Sequence, residues 1–204
     1  MKLKRKGVIM KKVLLDYDNT ICDFNRIMVE KWKELSGLYQ QYPFKYEDIN
    51  LYSLQKCLQN IGYPENISYK LISDFWKVEN LYQDFYFDMF CRSQIINIIK
   101  NLKANGYFIE MNTLCNSLEM ANSKIIRMKK DTELFDLVDN FIINIMPEKY
   151  KFEKPVDYDI IIEDNPIYIE RYLKENENGL VYMPLWKYNE YLLPNNHIEV
   201  IENE

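Results

Sequence analysis

The sequence predicts an α/β fold, a doubly wound, mostly parallel sheet with a small helical cap insertion. Three observations carry this. Short apolar runs alternate with stretches of helical periodicity along most of the chain, the pattern of a parallel sheet covered by helices on both faces. The length, 204 residues, suits one domain and suffices to bury a core. Between residues 38 and 90 the texture changes: fourteen of the thirty aromatic residues fall there, around helical stretches and no strand. The core is expected over 10–37 and 91–204, the helical cap over 38–90, and an N-terminal extension over 1–9.

Residues 12–17 read as the first strand, because Val13, Leu14 and Leu15 form an apolar run. From Asp23 onward, Phe24, Ile27, Met28, Trp32 and Leu35 recur at helical spacing, with Gly37 as the C-cap. In the aromatic stretch, helices are expected near 48–60 and 67–79, separated by Gly62 and Pro64. Ser93 is expected to cap a helix carrying Ile95, Ile96, Ile99 and Leu102, with Lys100 and Lys103 near its end and Gly106 after it. A strand over 107–112, a helix over 117–130 and a strand over 141–145 follow. A fourth strand over 159–162 ends in Glu163-Asp164, followed by a helix over 167–174 and a strand over 180–183. Parallel sheets bind ligands beyond the carboxyl ends of their strands. Asp16, Thr113 and Asp164 all stand at or just past such ends.

Composition removes several function classes. The net charge is −5, so no extended basic surface awaits a nucleic-acid backbone. No apolar run approaches the roughly 18 residues that span a bilayer, and the basic start Met1-Lys2-Leu3-Lys4-Arg5-Lys6 leads into no signal-peptide core. Cys22, Cys57, Cys91 and Cys115 are scattered and form no C-x-x-C pair, as expected of reduced thiols in a cytoplasmic protein. The single His197 lies near the C-terminus and offers little for histidine-based catalysis.

The chemistry concentrates in Asp16-Tyr17-Asp18-Asn19-Thr20. An aspartate is ionised at neutral pH, with a reference pKa of about 3.9, and can attack phosphorus to form an acyl-phosphate. Its obstacle is repulsion from the anionic phosphate. Mg²⁺ between them removes that obstacle and prefers oxygen ligands with one or two carboxylates, here Asp16 and Asp164. Asp18 could protonate the departing alkoxide and then deprotonate the water that clears the intermediate. Thr113 could donate to a phosphoryl oxygen, and a nearby lysine could neutralise the remaining charge. Each residue also has a plainer explanation. Glu163-Asp164-Asn165-Pro166 is a good turn and helix start. Phe24 fits the apolar face of its own helix, and Trp76 could fill a helix interface.

Asp-Tyr-Asp-Asn-Thr resembles the D-x-D-x-[TV] first motif of the haloacid dehalogenase superfamily of phosphotransferases. Thr113 after Phe108-Ile109-Glu110-Met111-Asn112 resembles its second motif, and Ile160-Ile161-Ile162-Glu163-Asp164 its fourth. For the third, a lysine before the fourth strand, Lys154 fits best by spacing, with Lys151 and Lys149 as alternatives. The chain is most similar to the 5'(3')-deoxyribonucleotidase branch, through Asp23-Phe24 after the first motif, Phe75-Trp76, Phe85-Tyr86-Phe87 and the ending Tyr182-Met183-Pro184-Leu185-Trp186-Lys187-Tyr188-Asn189. Asn19 stands where that branch has glycine, and Leu114-Cys115 where it has Ser-Pro. The resemblance implies a Rossmann-like core, Asp16 as nucleophile and Asp18 as acid/base. It implies Mg²⁺ on Asp16, the Asp18 backbone carbonyl and Asp164, Thr113 and Lys154 on the phosphate, and Phe24 and Trp76 on a nucleobase.

The function expected is Mg²⁺-dependent hydrolysis of a small-molecule phosphate ester, a (deoxy)nucleoside monophosphate, with no membrane partner and with a homodimer left open. Two alternatives stand beside it. One is a phosphatase of the same superfamily acting on another small ester or on a nucleic-acid end. The other is a catalytically degenerate binding module.

Overall fold

The computed structural model describes residues 10–35, 42–145, 157–193 and 195–202. The extension 1–9, Gly37, and Lys149, Lys151 and Lys154 lie outside the described residues.

Six strands form one sheet: β1 (Lys12–Leu15), β2 (Phe108–Cys115), β3 (Asn140–Ile145), β4 (Ile160–Ile162), β5 (Leu180–Pro184) and β6 (Ile198–Ile201). Their spatial order is β3-β2-β1-β4-β5-β6, and every neighbouring pair is parallel. β1 lies inside the sheet, which explains its apolar run: Val13, Leu14 and Leu15 are all fully buried. Val13 and Leu15 enter the larger hydrophobic cluster with Ile95, Ile99 and Met120. Leu14 faces the other way, with Ile161, Ile169 and Tyr172. Each such side chain contributes roughly 1.5–3 kcal/mol on burial, so the strand that carries the first motif has a firm base.

The helices are α1 (Phe24–Leu35), α2 (Leu54–Asn60), α3 (Glu65–Phe75), α4 (Leu81–Asp84), α5 (Arg92–Ala104), α6 (Leu118–Lys130), α7 (Thr132–Leu137) and α8 (Pro166–Glu175). The α1 stripe falls as its spacing predicts, with Phe24, Ile27, Met28 and Trp32 buried. α5 ends as expected at Gly106, whose φ is +81° and whose N–H reaches Lys103 O. It begins two residues earlier than expected, however. Ser93 lies inside the helix, and Cys91 stands at the N-cap without a side-chain bond. α6 starts on a Ser117 cap, whose Oγ accepts from Met120 N at 3.1 Å. Asp131 then stops α6 and caps α7, accepting from Leu134 N at 3.2 Å.

The larger difference concerns β2. It runs on to Cys115, so Thr113 sits inside the strand, opposite Ile143. The expected strand stops at Asn112; the extension is Thr113-Leu114-Cys115, and β2 carries the polar residues Glu110 and Asn112 just before it. The structure accommodates them in pairs across to β3: Asn144 Nδ2 donates to Asn112 Oδ1 at 2.7 Å, and Asn140 Nδ2 to Glu110 Oε2 at 2.8 Å. The helix expected near 48–60 is a short 3₁₀ turn (Tyr46–Asp48) followed by α2.

Residues of the aromatic stretch join the core cluster through Phe44, Cys57, Leu58, Tyr63 and Phe75. Polar ties fasten them as well. Trp32 Nε1 donates to Tyr63 O–H at 3.2 Å, Ser117 Oγ to Trp76 O at 2.5 Å, and Tyr82 N to Ser123 Oγ at 2.9 Å. No helix among the described residues is long and apolar enough to cross a membrane.

Asp139 ties β2 to α5. Its carboxylate accepts from Ile109 N at 2.9 Å and Lys103 Nζ at 2.7 Å. Partial burial opposes its ionisation, but those two donors prevail and hold the carboxyl below its usual range. A lowered folded-state pKa adds stability above the unfolded carboxylate range, and that stability is lost as pH falls through the folded value. Asp139→Asn is therefore expected to cost about 0.5–1 kcal/mol at pH 7 and progressively less as the pH is lowered through and below the ordinary carboxylate range, in urea melts of both proteins over a pH series.

Candidate active site

The carboxyl end of β1 delivers the first group. Asp16 follows β1 directly and still pairs with β4, through Asp16 N to Ile162 O at 2.9 Å. The chain then turns on Asn19, whose φ of 56° is left-handed, a conformation asparagine tolerates better than most residues. The turn closes with Asn19 N to Cys22 O at 2.6 Å, and Thr20 Oγ1 donates to Asp16 Oδ2 at 3.3 Å. The neighbouring strands supply the rest: Thr113 from β2, and Glu163 and Asp164 after β4. Asn165 caps α8 through Ile167 N at 3.0 Å, with Pro166 in the first turn. The helix-start reading of this segment thus holds beside its acidic role.

Asp16, Asp18, Phe24, Trp76, Thr113 and Asp164 all line one cavity of about 300 Å³. The six expected site residues that are described therefore converge. Phe24 and Trp76 lie with near-parallel rings, 8° between planes and 6.0 Å between centroids, on one wall.

The two aspartates of the first motif have different surroundings. Asp18 accepts from Lys124 Nζ at 2.6 Å and from Tyr82 O–H at 2.8 Å. Lys124 Nζ also reaches Thr113 Oγ1 at 2.8 Å and lies over the rings of Tyr82 and Tyr17, at 5.2 and 5.7 Å. Burial pushes the Asp18 carboxyl above its usual range; Lys124 pulls it down and Asp16 raises it again. Burial works against the Lys124 charge, but the facing Asp18 carboxylate keeps the ammonium protonated. Burial likewise raises Tyr82 well above an ordinary phenol, so it remains a donor.

Asp16 belongs to a different group. Its carboxylate lies with those of Glu163 and Asp164, one oxygen from each within 4.8 Å of the others, all buried. Three buried carboxylates repel one another unless a proton or a cation offsets them. An all-oxygen donor set of this kind suits a hard divalent cation. Tyr188 O–H donates to Asp164 Oδ2 at 2.5 Å, and Asn189 Nδ2 to Asp164 O at 2.9 Å. The segment after β5 thereby holds Asp164 in place. Asn165 N donates to Glu163 Oε1 at 3.0 Å.

Lys124, Glu163 as a member of the carboxylate group, Tyr82 and Tyr188 were not among the expected site residues. Lys124 carries a readable signal. It falls on the buried stripe Met120, Lys124, Met128 of α6, at steps of four. A lysine in register with an apolar stripe is a lysine with a buried partner. Tyr82 gives no such signal, because tyrosines are frequent throughout that region. The four cysteines are free and buried, and burial raises their thiols, Cys91 to about 12, which keeps them out of thiolate chemistry.

No family model matches the chain, and no curated protein does. Solved structures do. A haloacid dehalogenase-like hydrolase from Streptococcus pneumoniae matches with a TM-score of 0.59 at 13% identity, over 96% of this chain and 95% of that one. A protein described as a phosphoglycolate phosphatase from Lactobacillus plantarum matches at 0.58 and 12%, over 95% and 93%. A superfamily hydrolase of subfamily IA from Geobacter sulfurreducens matches at 0.56 and 9%, over 91% and 96%. The chain has the haloacid dehalogenase-superfamily fold. At these identities the likeness carries the fold, while the site rests on its own geometry.

If the three carboxylates take a divalent cation, binding stabilises the folded state by about 1.4 kcal/mol at tenfold the dissociation constant. Thermal melts with and without Mg²⁺ are expected to show a rise in Tm that Asp164→Asn removes.

Proposed function

We propose that the protein is a phosphatase that hydrolyses a small phosphate monoester, with a (deoxy)nucleoside monophosphate as substrate. The observation that supports this best is the convergence of Asp16, Asp18, Thr113 and Asp164, from separate segments, on one cavity, with Lys124 bonded to both Asp18 and Thr113. Asp16 attacks phosphorus, forming an aspartyl-phosphate as the ester oxygen leaves. Asp18 gives that oxygen its proton, then takes one from the water that attacks the intermediate, releasing phosphate and restoring Asp16. Tyr82 positions Asp18 for both transfers. Thr113 and Lys124 meet the phosphoryl oxygens as charge develops on them. Lys124 fills the place that the resemblance would give to Lys154.

The carboxylates fit Mg²⁺, which Asp16 and Asp164 would hold with Glu163 beside them and, by resemblance, the Asp18 carbonyl. When bound it supplies charge neutralisation between carboxylate and phosphate. Residues 38–90 serve as a cap, and Phe24 and Trp76 give a planar leaving group an apolar wall. The neighbour described as a phosphoglycolate phosphatase supports the reaction class without selecting the substrate.

Phosphate release from dUMP, dTMP, phosphoglycolate and simple sugar phosphates tests the reading. Turnover is expected with Mg²⁺, with nucleotides preferred, and is expected to be lost with EDTA and in Asp16→Asn. Asp18→Asn is expected to lower kcat by about 10²–10⁴-fold. No release from any ester would leave only the binding-module alternative.

Tyr82→Phe removes a donor to Asp18 and no group that faces the phosphate. A fall in kcat of about tenfold with little change in KM is expected, whereas Lys124→Met is expected to raise KM and lower kcat together.

A further inference from the structure

Asn25 is buried in the first turn of α1 and lines the same cavity as Asp16, Asp18 and Thr113. Its amide orientation follows from its neighbours. Asn25 N donates to Asn19 Oδ1 at 2.9 Å, which fixes which way the Asn19 amide faces. Asn19 Nδ2 must then turn toward Asn25, and it donates to Asn25 Oδ1 at 3.3 Å. Oδ1 of Asn25 therefore has a partner, and Nδ2 is the polar atom of its amide without one. Nδ2 is buried and has no hydrogen-bond partner among the described residues. An unmet buried donor costs about 1–3 kcal/mol, a cost natural structures seldom carry without a use.

We infer that Asn25 Nδ2 is a specificity determinant that donates to a carbonyl oxygen on the leaving group of the substrate. This rests on the phosphatase reading above and narrows it. Phe24, Met28, Leu54 and Trp76 line the same cavity, beside the polar Asn19, Tyr52 and Asn116, and the first four suit a planar apolar body. A carbonyl needs only donors in such surroundings. A hydroxyl brings a proton of its own, for which the side chains of Phe24, Met28, Leu54 and Trp76 offer no oxygen acceptor. The leaving group that fits is flat, uncharged and carbonyl-bearing. Such sites discriminate strongly against analogues that lack the matching group.

The test compares kcat/KM of the wild-type enzyme and Asn25→Asp on dUMP and on its abasic analogue, 1,2-dideoxyribose 5-phosphate. Asn25→Asp keeps the acceptor for Asn19 and removes the donor. Its preference for dUMP over the abasic ester is expected to fall about tenfold, the worth of one hydrogen bond. If the aspartate variant does not fold, Asn25→Ser serves, because it keeps an acceptor and draws the donor out of reach. An equal fall on both esters overturns the inference, placing Asn25 at the phosphoryl end or in support of the loop; an unchanged preference overturns it too. Wild-type turnover of 4-nitrophenyl phosphate alone, without dUMP, overturns the inference while the phosphatase reading stands. Wild-type turnover of no ester removes both.

Discussion

A buried ammonium must be met by charge and by hydrogen-bond acceptors, and the way Lys124 is met organises this molecule. Lys124 is fully buried, on a helix stripe otherwise occupied by Met120 and Met128. Left unanswered, such a group costs several kcal/mol. Its partners come from three places: Asp18 after β1, Thr113 within β2, and the rings of Tyr17 and Tyr82. Tyr82 in turn donates to Asp18. One charge thus fixes α6, the end of β1, the end of β2 and the aromatic stretch with respect to one another. Moving any of them would leave Lys124 or Asp18 without its counterpart.

The sheet order decides what else can reach that point. β1 lies between β2 and β4, and the chain leaves β1 toward one edge and β4 toward the other. A crevice opens where the connections diverge, and its rim carries Asp16 and Asp164. The result is two carboxylates, two residues apart in sequence, in unlike settings. Asp18 shares a cation and a phenol, while Asp16 sits with two further carboxylates. Separating the environments of like groups is how a site assigns them different proton-transfer and nucleophilic tasks. The C-terminal segment preserves the separation. Trp186 Nε1 holds Asn19 O at 3.0 Å, and Tyr188, stacked on Trp186, holds Asp164.

What the sequence displays depends on how local the cause is. The burial of Val13, Leu14 and Leu15 shows in an unbroken apolar run, and the α8 start in Asn165-Pro166. Both are set by neighbours in sequence. The end of β2 is set by β3, thirty residues away: Thr113, Leu114 and Cys115 pair there with Ile143, Asn144 and Ile145, and no neighbour in sequence marks them as a continuation of the strand. β6 is short, with only Ile201 fully inward, and too brief for a period to emerge. The Asp16, Thr113 and Asp164 constellation was legible through motif order, because each follows its own apolar run. Lys124 is found by helical period instead, since its partners lie in other elements and no spacing to the acidic residues announces it. Tyr82 and Tyr188 show nothing locally; their roles exist only once the sheet has brought Asp18 and Asp164 together.

The left-handed turn at Asn19 shows how one residue can serve both fold and site. A glycine would satisfy its backbone at least as easily. Asparagine adds a side chain that accepts from Asn25 N and donates to Asn25 Oδ1, so it both caps the entry to α1 and sets the Asn25 amide. The turn that carries Asp16 and Asp18 is thereby coupled to the cavity wall that carries Asn25. On the proposed phosphatase reading, phosphoryl chemistry dictates the carboxylates, and discrimination has to come from such neighbouring groups. The Asn19 side chain connects the two directly.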